Sequence, residues 1–382
     1  MRYLRFFALL CGLILAGCVT SPQKGSLTPS TGPLLVINGE LTQEGTALRD
    51  RGLGYYQKHR DVEAYADWRP LADQGHGESL FNMGIMTRDG LGVPADPAAG
   101  LEWMRKAANA GYASAYLDVG AAYSAGTLVP KNVDEAVRYW RKGAGLGCTA
   151  CATAAGRYLV LGIAGATTDR RLGVALLTQA AQAEEPDANA QSVLGVMYID
   201  GEFVPKNYAK ARKLLEQAVK SCECGGDAQY HLGLIYDNGY GVPIDKEKAV
   251  ALYEQAASKN NASAMNNLGY AYRHGEGVRK DLAKATEYFT HADALGNLDA
   301  TINLGDMIFK GWGVQRDRPK AVELYKKAAE ADAPIGKCRY AQALLYGDGT
   351  ARNKSEALRW TTLAKADLPK LSCDKRLEDS LY

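Results

Sequence analysis

Cysteine is the residue type in this chain best able to do chemistry, and its placement is uneven. Cys148-x-x-Cys151 and Cys222-x-Cys224 are close pairs, while Cys338 and Cys373 stand 35 residues apart. Such pairs can bridge as disulfides, exchange electrons as dithiols, or contribute thiolates to a metal. Redox exchange at Cys148 and Cys151 would need a thiolate stabilised at a helix start. No alternation of strands and helices accompanies the pair, as it does in redox proteins of the thioredoxin type. The histidines (His59, His76, His231, His274 and His291) are scattered, and none has a glutamate and a second histidine at zinc-ligand spacing. Turns are expected at His76 and His274, which makes these two solvated side chains. No Gly-x-Ser-x-Gly, phosphate loop or dinucleotide fingerprint occurs, so no catalytic residue, cofactor or metal is expected.

The first residues address the compartment. Arg2 and Arg5 precede an apolar run from Phe6 to Ala16, which ends in Leu15-Ala16-Gly17-Cys18. A charged start, a short apolar core and a small-residue end are the three parts of a secretory signal peptide. The run is shorter than the ~20 residues that span a bilayer. Leu15-Ala16-Gly17-Cys18 resembles the lipobox of bacterial lipoproteins. That resemblance implies cleavage before Cys18 and acylation of Cys18, and Val19 beside it fits release to the outer membrane. Two or more acyl chains hold a protein stably where one does not. Residues 1–17 are therefore expected as signal peptide, and 18–45 as lipidated cysteine plus flexible linker.

The chain has 45 Lys+Arg and 43 Asp+Glu; removing Arg2 and Arg5 leaves 43 of each sign. A neutral protein has no general attraction to nucleic acid. Membrane contact is expected through the lipid alone.

The elements that must position these side chains are set by repetition. A glycine recurs as Gly84, Gly120, Gly156, Gly195, Gly233, Gly269 and Gly305, with Ala341 in the eighth place; the spacings are 36, 36, 39, 38, 36, 36 and 36. A second glycine follows each mark by six residues, from Gly90 to Gly347. A third position is always small: Gly100, Ala136, Gly173, Ala211, Ala249, Ala285, Ala321 and Ala357. Positions −5, −1 and +3 around the mark share one helical face, as in Ala264, Leu268 and Tyr272. The second glycine stops this helix A, and Pro and Asp in the following turn suit the start of helix B. The third unit, with Gly162-Ile-Ala-Gly165 and one extra residue, should have an irregular turn. The expected fold is an all-α, right-handed solenoid of antiparallel helix pairs, with about eight repeats of ~36 residues over 77–370. Residues 46–76, with Trp68, read as a degenerate N-terminal capping repeat; residues 371–382 read as a tail or C-terminal cap. Four cysteines of the two close pairs cannot share one zinc, because the pairs lie two units apart and each helix layer adds ~10 Å.

Gly275-Glu-Gly-Val-Arg-Lys-Asp281, Gly311-Trp-Gly-Val-Gln-Arg-Asp317 and Pro319-Lys-Ala-Val-Glu-Leu-Tyr-Lys-Lys-Ala-Ala329 resemble the Sel-one-like repeat, a relative of the tetratricopeptide repeat. The resemblance covers roughly residues 60 to 366. It implies disulfides as the role of Cys148, Cys151, Cys222, Cys224, Cys338 and Cys373, since cysteine-rich relatives staple helices this way. It also implies that helices A line a concave, partner-binding surface. Position −2 carries Asn82, Asp118, Ala154, Val193, His231, Asn267, Asn303 and Arg339, and its asparagines resemble the clamp residues of tetratricopeptide domains. An amide offers donor and acceptor to an extended peptide. Tyr116, Tyr230 and Tyr270 lie nearby in register. The expected function is a cell-envelope scaffold for a protein or peptide partner. An envelope enzyme, acting on cell-wall material or by thiol exchange, and a passive spacer are the alternatives.

Overall fold

The computed structural model describes residues 34–221, 226–368 and 370–373. The expected signal peptide and Cys18 lie outside the described residues, as do Cys222, Cys224 and 374–382. The chain forms two compact units, Met1–Leu194 and Gly195–Tyr382. The architecture is an all-α solenoid of paired helices.

The first unit opens with a small hairpin, β1 (Val36–Ile37) against antiparallel β2 (Glu40–Leu41). Asn38 and Gly39, both at positive φ (52° and 87°), make its two-residue turn. This part of the expected flexible linker, residues 34–45, is therefore ordered. Leu35 and Val36 are buried, and the Gln74 side-chain oxygen accepts both of their backbone N–H groups at 2.8 and 3.1 Å.

Helix pairs follow: α1 (Gln43–Tyr56) with α2 (Asp61–Asp73), α3 (Gly77–Asp89) with α4 (Pro97–Asn109), α5 (Ala115–Ala125) with α6 (Val133–Gly145), and α7 (Thr149–Leu161) with α8 (Arg170–Ala181). The expected N-terminal capping segment is the α1–α2 pair, whose first helix begins at Gln43. Trp68, fully buried, lies against Gly52 and donates its indole N–H to Arg49 O at 3.1 Å. Trp140 makes the same bond to Leu117 O at 3.0 Å, over Gly120. Helix α9 (Ala188–Asp200) spans the boundary between units. The second unit continues with α10 (Tyr208–Ser221), α11 (Asp227–Asn238) with α12 (Lys246–Ala257), α13 (Ala262–His274) with α14 (Leu282–Ala294), α15 (Leu298–Lys310) with α16 (Arg318–Glu330), and α17 (Pro334–Tyr346) with α18 (Lys354–Asp367).

Each glycine ladder has a distinct physical cause. The second glycines all take left-handed φ, between 61° and 78°, where a side chain would be strained. The first glycines lie under the large side chain of helix B: a Cβ on Gly233, Gly269 or Gly305 would come within 2.6 Å of Tyr253, Phe289 or Tyr325. The third, small position lets the backbones approach, since a Cβ on Gly100 would meet Gly84 O at 2.7 Å. Helices B start on an Asp or Asn side chain that accepts a backbone N–H three residues on, at 2.9–3.1 Å: Asp96, Asn132, Asp169, Asn207, Asp245, Asp281, Asp317 and Asn353. A cap of this kind stabilises by ~1 kcal/mol. The irregular third turn is a short 3-10 turn, Ile163–Gly165, with Ala164 at φ 54°.

Candidate functional site

Position −2 faces away from its own helix pair, but it does not face open solvent. At three of its eight members the side chain meets helix A of the preceding repeat. In the first unit Asp118 lies 3.9 Å from Arg88. In the second unit the Asn303 amide donates to Asn266 Oδ1 at 2.9 Å, and Arg339 donates to Asp306 Oδ2 at 3.0 Å. At these three members the −2 position is thus a polar seam between consecutive helices A, whereas Ala154 and Val193 are apolar members of the row.

Two members depart from an open clamp. Asn82 is only 1% exposed, and its amide has no hydrogen-bond partner among the described residues. His231 is buried beside Tyr230, with ring centroids 4.9 Å apart, and desolvation pushes its pKa down to about 4. Burial also raises the Asp118 carboxyl to about 6, against the opposing effect of Arg88. His76, expected to be solvated, is the half-buried N-cap of α3: its Nδ1 accepts the Ser79 N–H, and desolvation lowers its pKa to about 4. His274 is the last residue of α13, where a turn was expected.

The second unit carries the richer surface. Tyr270 is 47% exposed, with its ring 4.3 Å from that of His274. Trp312, 38% exposed in the turn after α15, lies under the Arg273 guanidinium, whose carbon is 4.7 Å from the ring centroid. Behind these, Tyr253 donates to Asp237 Oδ2 at 3.1 Å and Tyr325 to Asp306 Oδ1 at 2.8 Å. Burial, then the nearby carboxylate, raises both phenols. Asn267 hydrogen-bonds the Tyr253 side chain, and Tyr230 lies 5.9 Å from that ring. Lys246 bridges Asp237 at 2.8 Å and Glu276 at 2.9 Å. Asn267, Asn303, Tyr230 and Tyr270 therefore share one unit with residues the sequence reading missed: Asn266, Arg273, Asp306 and Trp312. Trp312 carried only a weak signal, because the equivalent turn position is also bulky in other repeats, as Leu91, Ile163 and Tyr240. Asp118 and Asn82 belong to the other unit.

The cysteines divide similarly. Cys148 and Cys151 are disulfide-bonded across the first turn of α7, with Cα atoms 5.2 Å apart. Cys338 of α17 is bonded to Cys373, which follows α18, with Cα atoms 4.9 Å apart. Among the described residues no group of three or more His, Cys, Asp or Glu is placed to hold a metal ion. No described helix is long and apolar enough to cross a membrane.

Paired helices stacked in register, with polar seams and exposed aromatic side chains, define a helical-repeat protein of the interaction-scaffold class. The Sel1 repeat pattern matches eight consecutive segments: 77–112, 113–148, 150–184, 188–221, 226–261, 262–297, 298–332 and 334–366. The chain belongs to the Sel1 repeat family, whose members are generally non-enzymatic scaffolds for protein–protein interaction. It is similar to a protective antigen of uropathogenic Escherichia coli strains that displays an SLR fold, at 28% identity and TM-score 0.74, covering 88% of this chain and 73% of that one. A Sel1 repeat protein from Oxalobacter formigenes shares the fold at 23% identity and TM-score 0.57, covering 93% and 97%.

Proposed function

We propose that this chain is a cell-envelope scaffold, acylated at Cys18, that holds a protein partner on the helix-A surface of its second unit. The observation that carries the binding surface is the grouping of Tyr270, Arg273 and Trp312. Tyrosine, tryptophan and arginine are the side chains that dominate protein interfaces when they stand together. Most globular surfaces keep such aromatics covered, and here two of them are among the exposed large side chains. The polar seam beneath, with Asn303 on Asn266 and Arg339 on Asp306, fixes the helices that present them. Asn303 is already bonded to Asn266 across the seam, so the binding energy falls on the aromatic group rather than on this asparagine.

The envelope assignment rests on the signal-peptide pattern and on Leu15-Ala16-Gly17-Cys18. Outer-membrane attachment facing the periplasm follows from Val19 beside the acylated cysteine. The anchor is tested by labelling cells with an alkyne palmitate analogue and measuring the intact mass: label on the wild type and none on Cys18→Ser supports it, and an unlabelled wild type rejects it. The surface is tested by capturing partners with the acylated protein and with its Tyr270→Ala/Trp312→Ala variant. One protein retained by the first and lost by the second supports the scaffold. An unchanged set of captured proteins favours a passive spacer.

A further inference from the structure

Cys148 and Cys151 sit in unequal surroundings, and the inequality is of the kind that sulfur chemistry uses. Cys148 is the N-cap of α7, and its Sγ accepts the Cys151 backbone N–H at 3.1 Å. At a helix start the macrodipole favours negative charge, so this sulfur is suited to the thiolate form. Cys148 is half-buried and follows the exposed stretch Gly145-Leu146-Gly147. Cys151 is fully buried, packed against Gly143, with its Sγ 3.8 Å from Ala113 O. A carbonyl oxygen beside a sealed sulfur favours the protonated thiol.

The bridge itself adds little constraint. It joins residues three apart within one helical turn, whereas Cys338–Cys373 spans 35 residues. Stabilisation by a disulfide grows with the loop it closes, so the short bridge is the poorer staple. Sequence alone argued against redox chemistry, because no thioredoxin-like alternation of strands and helices surrounds the pair. The chemistry requires less than that fold: a helix start, one reachable sulfur and one shielded sulfur.

We propose that Cys148–Cys151 is a thiol–disulfide exchange site that acts on a dithiol of another protein. A substrate thiolate attacks Cys148 Sγ and forms a mixed disulfide. The Cys148–Cys151 bond breaks, its electron pair passes to Cys151 Sγ, and that sulfur takes up a proton and points its S–H toward Ala113 O. The second substrate thiolate then attacks the substrate sulfur of the mixed disulfide. The substrate disulfide forms, and Cys148 leaves as a thiolate held by the Cys151 N–H. Two electrons have moved from the substrate dithiol to the chain, and the reverse sequence reduces a substrate disulfide. Exposed Leu146 gives the substrate segment an apolar contact beside the attacked sulfur.

The test uses the full chain, reduced anaerobically, alkylated with iodoacetamide from pH 5 to 9, and mapped by peptide mass. Cys148 should alkylate with a midpoint below about pH 7.5, while Cys151 stays unmodified in the folded protein. With glutathione disulfide as probe, Cys151→Ser should accumulate a Cys148–glutathione mixed disulfide that persists at least about tenfold longer than in the wild type, where Cys151 releases it. Circular dichroism checks that the variant keeps its helices; if it does not, the wild-type alkylation profile decides. A Cys148 midpoint at or above that pH overturns the proposal, as does a mixed disulfide equally long-lived in both proteins.

Discussion

Gly305 and Tyr325 are locked face to face: a Cβ on the glycine would lie 2.6 Å from Tyr325 Cε1, while the same ring donates its hydroxyl to Asp306 at 2.8 Å. The mark glycine is therefore a seat for a helix-B side chain, and the seats and occupants vary together. Trp68, Trp140, Tyr253, Phe289 and Tyr325 each rest on a glycine. In the last repeat the mark is Ala341, and the buried residue twenty positions on is Thr361, a small side chain. Gly305→Ala should consequently destabilise the second unit by ~1–3 kcal/mol through overpacking. Urea denaturation followed by circular dichroism measures this, and an unchanged midpoint would show that Tyr325 can move aside.

Asp118 titrates against the usual carboxylate sign. Its folded pKa is raised from 3.8 to about 6 by burial, so the native state binds this proton more tightly than the unfolded chain does. The contribution to stability is present below the unfolded value and is lost as pH rises through about 6. Asp118→Asn should therefore stabilise at pH 7, by on the order of 1 kcal/mol, and lose that advantage toward pH 4. Thermal melts of both proteins across this range should converge on acidification.

His231 and His76 behave oppositely. Each is desolvated, with a folded pKa of about 4 against 6.5 when unfolded. Their stabilisation is present above pH 6.5 and is lost as pH falls toward 4, because the unfolded chain takes up the protons first. Replacing His231 with Gln should flatten the loss of melting temperature between pH 6.5 and 4.5. A slope equal to that of the wild type would remove His231 from the acid response.

Asn82 has a buried amide without a hydrogen-bond partner among the described residues. Leaving such groups unsatisfied costs ~1–3 kcal/mol. Asn82→Leu, which keeps the branching at Cγ without the polar atoms, should raise the denaturation midpoint, and a loss of stability in both this variant and the smaller Asn82→Val would reveal a polar contact that this amide needs.

The helix pairs were legible in the sequence because their glycines answer local demands: a left-handed cap at Gly275, a close ring at Gly305, a close backbone at Gly100. Such demands act within one hairpin, where residue spacing is a good guide to proximity. The hairpin at Asn38-Gly39 was also written in its turn residues, but the polar stretch before it made a linker the simpler reading. The site was less legible. Spacing placed Asn82, His231 and Asn303 on one row, yet whether a row member is open depends on helix A of the preceding repeat. Asn303 finds Asn266 there at 2.9 Å, whereas Asn82 is covered. Contacts between repeats combine residues about 36 apart, and no periodicity within one helix reports them.

The binding surface is tested most directly by photo-crosslinking in cells, with a benzoyl-phenylalanine placed at Tyr270 and, as a control, at Lys326, an exposed residue of α16. A discrete protein adduct from position 270, absent from position 326 and lost when Trp312 is changed to Ala, is the predicted result. Identical adducts from both positions, or none from position 270, would contradict a partner held on the helix-A surface.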